Sequence, residues 1–140
     1  MGDSRDNRAA GVGVSVFEFT IEGDPRGYYA SGKVPNRKRL NAYVAFKRHA
    51  QISARFAGLE LPLTASKGAQ LEITTRAYYR TGVHCDPENT HKGTVDALFW
   101  HPETGKRGND KHVGGHFSPP MYDPERPRVE VEIRWLALTK

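Results

Sequence analysis

Apolar and polar residues alternate in three stretches of this chain and recur at helical steps in two others. In "VGVSVFEFTIEG", Val12, Val14, Val16 and Glu18 fall on one register and Ser15, Phe17, Phe19 and Ile21 on the other. Such β-branched and aromatic density predicts a well-buried strand, which Gly23, Asp24 and Pro25 end. "AQLEITTRAYYR" sets Leu71, Ile73, Thr75, Ala77 and Tyr79 against Glu72, Thr74, Arg76 and Tyr78, a second strand. "PRVEVEIRW" sets Val129, Val131, Ile133 and Trp135 against Glu130, Glu132 and Arg134, a final strand with one buried face. Between the first two strands, Leu40, Tyr43, Val44, Lys47, Ile52 and Phe56 recur as an amphipathic helix requires, with Asn36 placed to cap it and Gly58 to stop it. A shorter helix is expected to follow the second strand and to end about Trp100, because His101 precedes Pro102 and is pushed out of helical conformation. "KHVGGHF" suits a short, glycine-weakened strand, and "PRGYYASGKVPNRKR" a long exposed loop. The order β, α, β, α, β, β predicts an α+β fold: a single domain over residues 12–140, with a mixed sheet covered by two helices. The opening "MGDSRDNRAAG" has no apolar period, so residues 1–11 are expected to be a disordered tail.

Composition narrows the setting. At 140 residues, the chain can bury roughly two thirds of the surface that its unfolded form exposes. No apolar run approaches the roughly 20 residues of a membrane span, and the polar start lacks a signal's apolar core. A soluble, cytoplasmic chain with no membrane partner is therefore expected, and the single Cys85, unable to form an internal disulfide, fits a reducing compartment. Lys plus Arg outnumber Asp plus Glu by 21 to 16, giving net charge +5 and a sequence pI near 9.5. That balance favours a polyanionic partner, although a solvated surface can carry the same excess, so its distribution matters more than its total.

The chemistry concentrates in "HCDPENTHKGTVDAL", from His84 to Leu98. One reading is structural: Asp86 as N-cap, Pro87 at the first helical position, Glu88 at the positive end of the dipole, and Lys92 four residues from both Glu88 and Asp96, giving two charge pairs on the wet face. Val95, Leu98 and Phe99 would then face the core. The other is functional. Where a strand runs into a helix, Asp86 and Glu88 can aim carboxylates to one side, and a third acid, Asp110 of "RGNDKHV", precedes the next strand. Three such oxygen donors suit Mg²⁺ or Mn²⁺, and Lys92, one turn into the helix, can face an anion held by the metal. His84, Cys85 and His91, with His112 and His116 downstream, match no ordinary zinc spacing, and His84 and His91 suit surface or phosphate-contacting positions better.

These residues resemble the RusA-type Holliday junction resolvases of phages and prophages. That family carries D-x-D-N-x-x-K-x-x-x-D-A-L, followed further on by D-D-x-x-V; this chain reads D-P-E-N-T-H-K-G-T-V-D-A-L and then N-D-K-H-V. The likeness runs through the second half and includes "RVEVEI"; the first half matches only as strand, basic loop and helix. The resemblance implies a RusA-like two-fold homodimer that resolves four-way DNA junctions by Mg²⁺-dependent phosphodiester hydrolysis, with Mn²⁺ as substitute, in DNA recombination and repair. It implies no small-molecule substrate and, for a phage-encoded chain, the host cytoplasm. Carried over residue by residue, it makes Asp86, Glu88 and Asp110 the metal-binding carboxylates, Lys92 the catalytic lysine, and Asn89 and Asp96 supporting residues. Glu88 stands where the family has a second Asp and reaches one methylene further; Asn109 stands where the later pair has its first Asp.

A junction also supplies a partner for the basic loop and first helix. Lys33, Arg37, Lys38, Arg39, Lys47 and Arg48, with Arg55 beyond them, are candidates for binding phosphates. Two other function classes stay open: a non-cleaving or weakly active branched-DNA-binding protein, and a structural or regulatory phage-type protein in which "DPEN" only starts a helix.

Overall fold

A computed structural model describes residues 3–9, 12–28, 36–65, 69–108, 110 and 113–138. The chain runs β1 (Asp3–Ala9), β2 (Val12–Glu22), α1 (Arg37–Phe56), β3 (Ala69–Tyr79), α2 (Pro87–Leu98), β4 (Val113–Phe117), β5 (Met121–Tyr122) and β6 (Arg128–Leu138). The strands form one mixed sheet in the order β1-β2-β6-β3-β4, and the two-residue β5 pairs with β3 beyond β4. Antiparallel β6 fills the centre, with Ile133 opposite both Phe17 of β2 and Ile73 of β3. β4 runs parallel to β3, so α2 is the crossover between them. The α+β architecture and mixed sheet agree with the sequence pattern.

The alternation in β2, β3 and β6 places one apolar row on one side of the sheet. Phe17, Phe19, Ile21, Leu71, Ile73, Val129, Val131 and Ile133 are buried there together with Phe46, Ala50 and Ala54 of α1 and Ala97 and Leu98 of α2. A large side chain buried in such a core stabilises the fold by about 1.5–3 kcal/mol. The opposite side of the sheet is polar and held by ion pairs, including Arg76–Glu130 at 3.3 Å and Arg128–Glu130 at 3.2 Å.

Local chemistry sets the helix ends. The Asn36 side chain accepts from the backbone N–H of Arg39 at 3.1 Å. At the other end, the N–H groups of Gly58 and Leu59 donate to the carbonyls of Arg55 and Ala54 at 3.0 and 2.9 Å. That closing turn requires φ +108° at Gly58, which only glycine adopts without strain.

Four expectations change. Residues Asp3–Ala9, within the expected tail, pair with β2 from Asp3↔Glu18 to Ala9↔Val12. An outer strand is bonded through its backbone, so it needs no apolar period. α2 ends at Leu98, two residues earlier than expected, and Trp100 forms an isolated antiparallel bridge with Arg107. On α1, Val44, Ile52 and Phe56 are exposed, and the buried stripe is Tyr43, Phe46, Ala50 and Ala54, because small alanines let the helix lie close to its neighbours. Along α2, Lys92 forms neither expected ion pair among the described residues, since Asp96 turns towards α1 and Arg107. Among the described residues, no helix is long and apolar enough to cross a membrane.

Candidate functional site

The crossover helix presents one polar face to an open space bounded by β4. Glu88, His91, Lys92, Val95 and Asp96 lie at helical spacing and line a cleft of about 450 Å³. The lining also includes Val113, Gly114, Gly115 and Phe117 of β4, together with Arg107 and Asp110. Three of the four residues expected to carry chemistry, Glu88, Lys92 and Asp110, therefore share one cleft.

The fourth stands apart. Asp86 is the N-cap residue of α2, with φ −63° and ψ 142°, yet its side chain makes no capping hydrogen bond and is exposed. The helix start is supported by Pro87 and by the Asp86 carbonyl, which accepts from the backbone N–H groups of Asn89 and Thr90 at 2.9 and 3.2 Å. The Asp86 carboxylate lies outside the residues lining the cleft. Among the described residues, no group of three His, Cys, Asp or Glu side chains is drawn close enough to hold a metal ion. Glu88 and Asp110 nevertheless give the cleft hard oxygen donors of the kind that Mg²⁺ or Mn²⁺ takes.

Asp96 is the best-supported charge at the site. Its Oδ2 accepts from Tyr43 Oη at 2.6 Å and Lys47 Nζ at 3.2 Å, and its Oδ1 from Trp100 Nε1 at 3.2 Å, with Arg107 Nη1 at 3.4 Å. Burial works to raise its pKa, but the Tyr43 and Lys47 hydrogen bonds and the Lys47 and Arg107 charges outweigh it and hold the carboxyl below its usual range. Arg107 also bonds Asp110 Oδ2 at 2.8 Å, so one guanidinium ties this second cleft-lining acid to Asp96. Asn89 lines a neighbouring cavity with Arg39 and Cys85, and its carbonyl accepts from Tyr28 N–H at 2.9 Å. The Lys92 ammonium lies 5.5 Å from the centre of the Tyr28 ring.

No protein-family model matches the chain, and no curated protein does.

The basic residues divide by environment. Arg37, Lys38, Arg39 and Arg48 are exposed on α1, while Lys47 is drawn inward against Asp96; Lys33 and Asn109 lie outside the described residues. α1 contains six cations and no acid, and three of the cations crowd its first turn. A helix N-terminus disfavours each nearby cation by about 0.3–1 kcal/mol, so the cluster opposes local stability. An anionic partner would offset that cost.

His91, expected at the surface or against a phosphate, is half-buried on the cleft face, with Nδ1 2.9 Å from Thr75 Oγ1 and its ring tilted against Phe117 at 5.9 Å. The sequence signal for this position is its spacing, three residues after Glu88 and four before Val95, which places all three on one face.

Proposed function

We propose that the chain is a metal-dependent endonuclease that resolves four-way DNA junctions as a two-fold homodimer, in DNA recombination and repair. The observation that carries this reading is the convergence of Glu88, Lys92 and Asp110 on one cleft, although they come from a helix and from the turn before β4. The resemblance of the DPEN…DAL stretch to the RusA-type signature supplies the reaction class. Asp86, whose carboxylate is not used in capping, remains available beside the first turn of α2.

Glu88 and Asp110, with Asp86, would hold Mg²⁺ or Mn²⁺, which when bound polarises the phosphate and eases ionisation of water. Lys92 would place its ammonium against the negative charge growing on the phosphate oxygens. Arg107 and Asp96 would keep Asp110 in position. Exposed Arg37, Lys38, Arg39 and Arg48 would hold the junction arms by their phosphates, and two-fold symmetry would supply one cleft for each of two paired cuts.

The test is a synthetic four-way junction incubated with the purified chain, with and without Mg²⁺ or Mn²⁺. Paired cuts only in the presence of metal support the proposal. Tight binding without cutting selects a non-cleaving branched-DNA-binding protein, and neither binding nor cutting overturns both readings. Light scattering at micromolar concentration tests the dimer: an active monomer refutes it.

A further inference from the structure

The cleft contains one nitrogen base that the junction-resolving reading does not use. The His91 imidazole is fixed on one side by Thr75, a residue 2% exposed, whose Oγ1 lies 2.9 Å from Nδ1. Among the described residues, its other nitrogen, Nε2, takes no hydrogen bond. That edge of the ring faces Gly115: a Cβ there would lie 3.0 Å from Cε1 and 3.1 Å from Nε2, and 2.2 Å from the carbonyl oxygen of Ile73. Glycine at this point of β4 therefore lets the strand pass close both to β3 and to this edge of the ring, while His91 still lines the cleft. Glu88 and Lys92 lie on the same helical face and line the same space. A ring nitrogen held by a buried hydroxyl fixes the orientation of an imidazole and leaves its second nitrogen without a hydrogen bond of its own.

We infer that His91 is a further catalytic residue of this cleft: with Nδ1–H donating to Thr75, Nε2 accepts the proton of the water that attacks the phosphodiester. This inference rests on the nuclease reading and names a participant that the signature does not contain. In the step, the water oxygen bonds to phosphorus as its proton passes to Nε2. The bond from phosphorus to one deoxyribose oxygen breaks, and that oxygen leaves as a hydroxyl with a proton from solvent. The imidazolium then returns its proton to solvent, so the net change is addition of one water. Burial, reinforced by His116 and opposed by Glu88, lowers the imidazole pKa, which suits a base that must begin neutral. Thr75 acts through His91 and is a positioning residue.

The experiment measures single-turnover cleavage of a four-way junction in Mg²⁺, and junction affinity without metal, for the parent, His91→Ala, His91→Gln and Thr75→Val. His91→Ala is expected to cut about 10²–10³-fold more slowly with affinity within about twofold of the parent, and added imidazole to restore part of the rate. His91→Gln, which keeps bulk and polarity, guards against a folding defect and is expected to be equally slow with a parental melting curve. Thr75→Val is expected to lower the rate about tenfold at saturating enzyme, with affinity unchanged. If the parent cuts while His91→Ala and His91→Gln cut within about threefold of it, His91 is not the base and the nuclease reading stands. Slow variants that imidazole fails to rescue likewise overturn the role of His91. A parent that fails to cut overturns both.

Discussion

Replacing Asp96 by alanine should cost this fold more than any other single change at the cleft. The carboxylate is 16% exposed and the Tyr43 residue 5% exposed, so the 2.6 Å bond between them is shielded from water. A hydrogen bond to a charged acceptor contributes about 1.5–3 kcal/mol, and a buried hydroxyl left without a partner costs about 1–3 kcal/mol. Lys47 and Arg107 retain 27% and 46% exposure and can rehydrate, so each adds only the 0–1 kcal/mol or so of a surface pair. The expected loss for Asp96→Ala is about 3–4 kcal/mol, which at this chain length lowers the melting temperature by roughly 10–15 °C. Asp96→Asn keeps an acceptor for Tyr43 and should lose about 1–2 kcal/mol. Calorimetry at neutral pH reads both. The direction with pH also follows: because the folded carboxyl is held below its usual range, its stabilisation is present above the unfolded pKa of about 3.9 and is lost as pH falls through the folded value. The parent should therefore lose stability below about pH 4, and Asp96→Asn should lack that share of the loss. An Asp96→Ala variant melting within about 3 °C of the parent would refute this account.

Asp86→Asn should leave the melting temperature within a few degrees of the parent, because no side-chain cap bond is broken, yet abolish junction cutting; Asp110→Asn should also abolish it, and near-parental cleavage by either removes that carboxylate from the required set. Neutralising Arg37, Lys38 and Arg39 together should weaken junction binding across sequences and flatten its salt dependence by about one unit for each phosphate no longer neutralised, so an unchanged slope returns them to the solvated face. Gly115→Ala should destabilise the chain by about 2 kcal/mol or more in denaturant titration, since the added carbon would lie 2.2 Å from the Ile73 carbonyl oxygen and β4 would have to move; a parental midpoint refutes that close approach.

The strands were legible because their burial is one-sided: alternation through β3 and β6 matches the observed buried row from Leu71 to Tyr79 and from Val129 to Ile133. The ends of α1 were equally plain, since Asn36 and Gly58 act through their own backbone neighbours. The stripe that α1 buries was not, because Ala50 and Ala54 carry little hydrophobic signal and gain their place from close packing. β1 and the two-residue β5 give no pattern because strand pairing can be satisfied through main-chain atoms alone. At the site, helical spacing foretold that Glu88 and Lys92 share a face, while the ties among Asp96, Arg107 and Asp110 depend on how the chain returns after α2. The same spacing held the position of His91, but the anchor at Thr75 comes from another strand.

The cleft's two walls are held with unequal strength. β6 is paired along its length to β2 on one side and to β3 on the other, whereas among the described residues β4 is paired to β3 alone over five residues, two of them glycine. Amide protons report that inequality directly, because exchange follows the free energy of the smallest opening that exposes them. Those of β6 should exchange only when the whole domain unfolds, and those of β4 through a local detachment that leaves the core intact. A wall held in this way would open at lower cost than the rest of the sheet, so the closed dimensions of the cleft need not limit what enters it.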